Sequence, residues 1–432
     1  MALSSKKDNF VMQAVANTSL PNMVKVKQIF DKTHIVAEEI PELVRQDFLS
    51  SPAAKRITPG MRVAITAGSR GIANIAIITK AIVDTVRELG GDPFVFPAMG
   101  SHGGATAEGQ INVLSYYGIT EAFLGCPILS SMEVVELGNT EEGLPVFADK
   151  HAMEADAIIL CGRIKAHTAF EGPYESGILK MAVIGMGKQH GAETVHDSGF
   201  HNMARVLQQS AKVVLEKTKV IAGIGLIENA FNQTCQIETM DRDEILAREP
   251  ELLQIAKERH GHIFFDNLDV LVVDEIGKNY SGDGMDPHVT GRFNDPSIVS
   301  GGLNARRVVV LDLSEETHGN ANGIGLSDVT TKRVIDKFDA DETYPNILTS
   351  TVTVVGKIPV FLHTDKAAVQ FALKTSNCVD KDNPRMVRIA NTAQIEEIFI
   401  SEVLLEEARA NSQVELLTEP TDWGFDKEDN LV

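Results

Sequence analysis

The chain has 432 residues, with 40 Lys+Arg against 60 Asp+Glu and a formal charge of −20. That balance makes nucleic acid and anionic membrane poor partners, because both need a basic surface to displace counterions. Hydrophobic residues at 43% and charged residues at 23% suit a globular chain with a large core rather than a disordered one, and the length suits two or three domains. The richest apolar runs, VIAGIGLIE from Val220 and RVVVLDL from Arg307, fall short of the ~18 residues that span a bilayer. The opening MALSSKKDNFVMQAV has no continuous apolar h-region, so a signal peptide is not expected and the expected location is the cytoplasm. Cys126, Cys161, Cys235 and Cys378 lie far apart with no CxxC pair, which favours free thiols over a disulfide framework or a zinc knuckle.

After a polar lead-in the chain alternates strand, Gly-rich turn and helix. MRVAITAG (Met61 to Gly68) reads as a strand, and Ile75, Ile78, Ile82, Val86 and Leu89 follow at helical spacing up to a Gly90–Gly91 stop. PFVFPA (Pro93 to Ala98) is a second strand ending in GSHGG, with Thr106 as the N-cap of the next helix. A third strand, DAIILC (Asp156 to Cys161), runs into GRIKAHTAFEGPYESG. A long helix from Phe200 leads into VIAGIGLIE, and Asp241 to His260 reads as helical and charged. LDVLVVDEIG and ARRVVVLDLS then open a second set. The pattern predicts two α/β domains with mainly parallel sheets, residues 1–262 and 263–432, with the active site in the cleft between them. The acidic tail from about residue 412 carries the only tryptophan, Trp423, which predicts that it packs back on the first domain.

In such sheets ligands sit outside the carboxyl ends of the strands, and the chemistry-bearing residues collect at those turns. His102, in Gly-Ser-His-Gly-Gly, and His167, after the third strand, occupy matching positions and form a candidate acid/base pair; the alternative is two solvated loop histidines. Arg70, before a helix N-terminus, is either an anion clamp or a surface arginine paired with an acidic neighbour. Lys180 has apolar flanks, so it either snorkels outward or is partly desolvated and available for covalent chemistry. His196 lies too far along the chain to share a helix face with Lys180 unless a turn intervenes, and Gly185, Gly187 and Gly191 supply one. That same segment, GMGKQHG, imitates a dinucleotide turn but reads GxGxxxG, so a helix end turning through glycines competes with a nucleotide site.

At these residues, roughly Arg62 to His201, the sequence resembles the nickel-pincer lactate racemase family, whose members are 2-hydroxy acid racemases and epimerases. Ser101-His102, with Gly103 after it in the Gly-rich turn, is similar to the family's Gly-Thr-His loop, and His167 to its second catalytic histidine. Ser176-Gly177-Ile178-Leu179-Lys180 resembles the Ser-Gly-Gly-Arg-Lys segment whose lysine is bonded to the cofactor, His196 stands where the nickel-binding histidine is expected, and Arg70 matches the arginine of an Asp-x-Thr-Arg turn. The resemblance implies a lysine-tethered nickel-pincer nucleotide (a pyridinium-3-thioamide-5-thiocarboxylic acid mononucleotide carrying nickel), a small 2-hydroxy acid as substrate, and cofactor-biosynthesis proteins as loading partners. The sequence departs from the family at Ala67, where an aspartate is expected, and in a stretch a few residues longer between His167 and Lys180. A Tyr-Gln-x-x-Lys substrate motif is missing after LDVLVVDEIG, where Lys278, Asn279 and Asp283 stand as replacements. A non-catalytic cofactor- or metal-binding relative and an NAD(P)-linked oxidoreductase are the alternatives.

Overall fold

The computed structural model describes residues 10–69, 71–299, 301–377 and 380–432. It divides into a unit of residues 31–260 and a second unit formed by the first 30 residues with 261–432. The described part of the first 30 residues was expected with the N-terminal domain; it belongs instead to the other unit, because strand β1 (Met23–Gln28) hydrogen-bonds only within that unit's sheet.

In the unit 31–260, five strands form one sheet: β2 (Arg62–Ala67), β3 (Asp92–Pro97), β6 (Ala157–Arg163), β7 (Val220–Glu228) and β8 (Thr234–Asp241), in the order β3-β2-β6-β7-β8. A small hairpin of β4 (Val134–Asn139) and β5 (Pro145–Asp149) stands apart. β3, β2, β6 and β7 are parallel, and β8 returns antiparallel to β7. Their near-continuous burial follows from helices on the sheet faces, which leave no polar side to a central strand. Val63, Ile65 and Ile159 share one core with Ile78, Ile82 and Val86 of helix Ile75–Glu88 and with Val44 and Phe48 of helix Ile40–Ser50. Each such buried side chain contributes about 1.5–3 kcal/mol against the entropy of ordering the chain. The helix over residues 75–88 and the Thr106 cap, whose hydroxyl accepts Gly109 N–H at 3.0 Å, stand where the sequence puts them.

The second unit has an eight-stranded sheet. Its later strands are β9 (Leu268–Ile276), β10 (Ala305–Leu313), β11 (Val329–Thr331), β12 (Val360–Leu362), β13 (Met386–Ile389), β14 (Glu397–Ser401) and β15 (Val414–Leu416). The order is β12-β11-β10-β9-β13-β14-β1-β15, parallel from β12 to β13 and antiparallel from there to β15. The acidic tail does not lie on the first unit as expected: β15 pairs with β1, and Trp423 Nε1 donates to Pro21 O at 2.9 Å. The tryptophan's apolar ring joins Met23, Val270 and Met386 in this unit's own core. No described helix is long and apolar enough to cross a membrane.

Candidate functional site

The carboxyl ends of β2, β3 and β6 lie side by side, so the turns that leave them are neighbours by topology. After β3, Ala98 N–H still bonds Ala67 O (2.8 Å), then the chain leaves the sheet through Gly100, Ser101, His102 and Gly103. Gly103 is in the left-handed region (φ 67°), and a Cβ there would lie 2.6 Å from Gln110 N, so only glycine lets this turn rest on helix Ala107–Tyr116. His102 is exposed and extended, with its N–H on Met99 O at 3.1 Å; Ser101 O accepts Ala105 N–H at 3.1 Å. The buried Gln110 amide reaches back to the carbonyls of Gly100 (2.9 Å) and His102 (3.3 Å).

The longer stretch after β6 is a closed loop. Lys165 and Ser176 exchange backbone hydrogen bonds of 2.8 and 3.2 Å, which fold His167 back beside the segment leading to Lys180. Glu175, 2% exposed, accepts the N–H groups of His167 (2.7 Å) and Gly172 (3.3 Å) and pairs with Lys257 at 2.8 Å. The His167 ring lies over Phe170 (centroids 4.3 Å, 35°) with Phe200 at 6.4 Å. Its Nδ1 accepts Ala169 N–H at 3.1 Å, which leaves the proton of a neutral ring on Nε2.

Gly177 opens a helical run through Lys180. Glu249, buried in helix Ile245–Arg259, accepts Leu179 N–H at 3.0 Å and so satisfies a free amide at the helix start. A Cβ on Gly177 would lie 2.0 Å from Glu249 Oε1, which explains glycine at that step. Met181, next to the half-buried Lys180, packs its methyl against Gly68 and Gly162 at the ends of β2 and β6. Residues Met181–Gly185 then form a π turn, a local helix irregularity that recurs at functional sites. Helix Lys188–Asp197 follows and carries the half-buried His196, whose ring meets Phe200 edge-on at 5.8 Å. Burial and then the Lys180 ammonium hold the His196 imidazole below its ordinary value, with Asp197 opposing them. Lys180 is therefore an electrostatic neighbour of His196, and Phe200 lies between His196 and His167.

The structure thus gathers His167, Ser176, Gly177, Lys180 and His196 around one helical run, with the Ser101–Gly103 turn attached to the same run through Gly100 N–H on Gly185 O (3.3 Å). Arg70 lies outside the described residues. Lys278, Asn279 and Asp283 belong to the other unit, in the turn after β9, and each is engaged there. Lys278 Nζ donates to Asn346 Oδ1, Asn279 Oδ1 accepts from Ser314 Oγ at 2.7 Å, and Asp283 receives Asn322 Nδ2 at 3.5 Å. The dinucleotide reading of GMGKQHG loses its context, because the apolar KMAVI before it is helical and no strand enters that turn. Sequence reasoning did not find Glu175, Glu249, Gln110 or the ammonium of Lys188; only the aromatic residues Phe170 and Phe200, each four or fewer positions from a candidate histidine, offered a local signal. Among the described residues no group of three or more His, Cys, Asp or Glu could hold a metal ion.

Residues 10–207 match the family model of the lactate racemase N-terminal domain. Among solved structures, the lactate racemase apoprotein from Thermoanaerobacterium thermosaccharolyticum aligns over 86% of this chain and 99% of its own, with a TM-score of 0.55 and 11% identity, a likeness of fold. A protein from Thermotoga maritima aligns over 65% of this chain and 72% of its own at 14% identity and a TM-score of 0.47. No curated protein matches the chain.

Proposed function

We propose that this chain, whose residues 10–207 match the lactate racemase N-terminal domain, is a member of that family and a racemase or epimerase of a small 2-hydroxy acid that works with a lysine-tethered nickel-pincer nucleotide. The observation that carries the reading is that Lys180 and His196, sixteen positions apart, lie near enough for the ammonium to lower the imidazole's basicity, with His167 on the loop beside them. A tether needs an amine and a soft, partly organic nickel site needs one neutral imidazole, and this pair offers both. His196 would be the chain's own donor to nickel. When bound, that cofactor supplies hydride acceptance and return at the substrate's carbon.

The chain's own work is then binding and proton transfer. Lys180 Nζ is the attachment atom and His196 the donor to nickel. Its depressed basicity keeps the lone pair available at neutral pH. His102 and His167 divide the transfer of the hydroxyl proton by substrate face. In the conformation described, His167 presents N–H at Nε2 and can donate to a substrate oxygen; to act as a base its Nδ1 must release Ala169 N–H. His102, exposed on its turn, is the other base. Phe170 and Phe200 cover the His167 ring and exclude water from that side. Arg70 would hold the substrate carboxylate, and Ser101, Gly103, Ser176 and Gly177 the backbone-lined part of the cofactor site.

The test is co-expression with the cofactor-biosynthesis proteins, followed by mass spectrometry of the intact chain and its peptides and a screen of 2-hydroxy acid enantiomers. A covalent adduct on the Lys180 peptide together with interconversion of enantiomers or epimers supports the proposal. Adduct without turnover of any 2-hydroxy acid leaves a cofactor-binding relative, and no adduct refutes the cofactor.

A further inference from the structure

The GMGKQHG segment lacks the strand-to-helix context of a dinucleotide turn, yet it holds a lysine with no exposed surface at all. Lys188 is 0% exposed, as is Asp149, whose Oδ2 lies 3.1 Å from the Lys188 ammonium. The ammonium also donates to Pro97 O, the last residue of β3, and to Gln110 Oε1 at 3.1 Å. Two of its N–H groups are therefore engaged, by the end of β3 and by helix Ala107–Tyr116, and its charge pairs with Asp149 at the end of β5.

Lys188 is also where the helical run turns. Its backbone is left-handed (φ 54°) although glycines stand at 187 and 191, and a non-glycine residue persists there only when its surroundings hold it. In a straight helix, residues 184 and 192 would be separated by about 12 Å and residues 180 and 196 by about 24 Å. A Cβ on Gly100 would touch both Ile184 Cγ2 (3.4 Å) and Ala192 Cβ (3.3 Å), so residues four places before and after Lys188 lie against one point. Residues eight places before and after it, Lys180 and His196, are the electrostatic neighbours described above. The run is a hairpin with Lys188 at its apex. The same ammonium holds Gln110, whose amide holds the carbonyls of Gly100 and His102.

We propose that Lys188 is a positioning residue: its buried ammonium, anchored on Pro97, Gln110 and Asp149, fixes the hairpin that sets Lys180 against His196 and, through Gln110, fixes the turn that carries His102. Its functional meaning rests on the reading of those three residues given above; the geometric claim is tested on the unloaded chain and stands apart from it.

Lys188→Met keeps the side chain's length but strands Asp149 as a lone buried charge, so the informative variant is Lys188→Met with Asp149→Asn. Hydrogen–deuterium exchange read by peptide mass spectrometry compares residues 98–105 and 186–197 with the paired strands β6 and β7. The expected result is exchange faster by about tenfold or more in the two segments and unchanged in β6 and β7, the signature of local rather than global opening. Gln110→Leu is expected to speed exchange in 98–105 alone. In the co-expression assay the double variant should load Lys180 about tenfold less than wild type, a loss typical of a positioning partner. Wild-type exchange in both segments, a uniform rise across the unit, or wild-type loading of Lys180 each overturns the proposal. The adduct measurement on the wild-type chain decides the function reading separately.

Discussion

Glu249 makes a pH-dependent prediction whose size follows from its surroundings. Its carboxyl is 1% exposed in helix Ile245–Arg259, and burial pushes it up to about 8 from an ordinary 4.5, while the N–H groups of Leu179 and Ile178 pull the other way. The folded state therefore binds this proton more tightly than the unfolded chain. Stability from this source is complete below pH 4.5, falls as pH rises, and is fully lost once the folded group ionises near 8. A separation of about 3.5 pH units corresponds to roughly 5 kcal/mol over the whole range, of which about 1.4 kcal/mol falls between pH 7 and 9. Glu249→Gln imitates the protonated acid and keeps an oxygen for Leu179 N–H, so it should be near neutral at pH 7 and lack the alkaline loss. Native-state hydrogen exchange of the slowest β6 and β7 amides at pH 7, 8 and 9, corrected for intrinsic rates, measures it without assuming that both units unfold together. Wild type should lose about 1.4 kcal/mol more than the variant over that interval. Parallel losses in the two proteins would show that the carboxyl is already ionised at pH 7 and refute the reasoning.

Lys180→Ala should abolish covalent loading, and a full adduct on the variant would remove Lys180 as the tether. His196→Ala should lose nickel from loaded protein while the organic adduct stays on Lys180; elemental analysis with unchanged nickel would rule it out as a ligand. His102→Ala and His167→Ala should each slow racemisation by about 10²–10⁴. In single turnovers the two should favour opposite enantiomers, and a shared preference would sink the two-base assignment. Gly103→Ala, forced into a left-handed backbone with its Cβ 2.6 Å from Gln110 N, should destabilise the unit by about 1–3 kcal/mol and displace the His102 turn. An unchanged melting curve and unchanged exchange in 98–105 would count against that packing.

The parallel strands β2, β3, β6, β7, β9 and β10 were legible because both their faces are covered, so each is an unbroken apolar run bounded by glycine or a polar turn. The helix Ile75–Glu88 was legible for the complementary reason, a single apolar stripe at helical period. The histidines and Lys180 stood out because strand-end turns and apolar flanks are local features of sequence. β1 was hidden in a polar lead-in: MVKVKQ alternates, and what makes it a strand is its pairing with β14 and β15, nearly four hundred residues away. Long-range pairing also took the tail to β1 rather than to the first unit.

Local sequence by itself singled out the candidate residues, since a histidine in a glycine turn or a lysine between apolar residues is defined by its neighbours along the chain. Tertiary structure decided which of the candidates lie near one another. A separation of sixteen residues between Lys180 and His196 is compatible with opposite ends of one helix or with a bent run that brings the two near each other, and the bend falls at Lys188, whose backbone is left-handed and whose ammonium meets Pro97, Gln110 and Asp149. Those partners come from 39 to 91 positions away. No window along the chain contains them all, because a buried charge takes its stability from whatever the fold brings to it and not from its sequence neighbours.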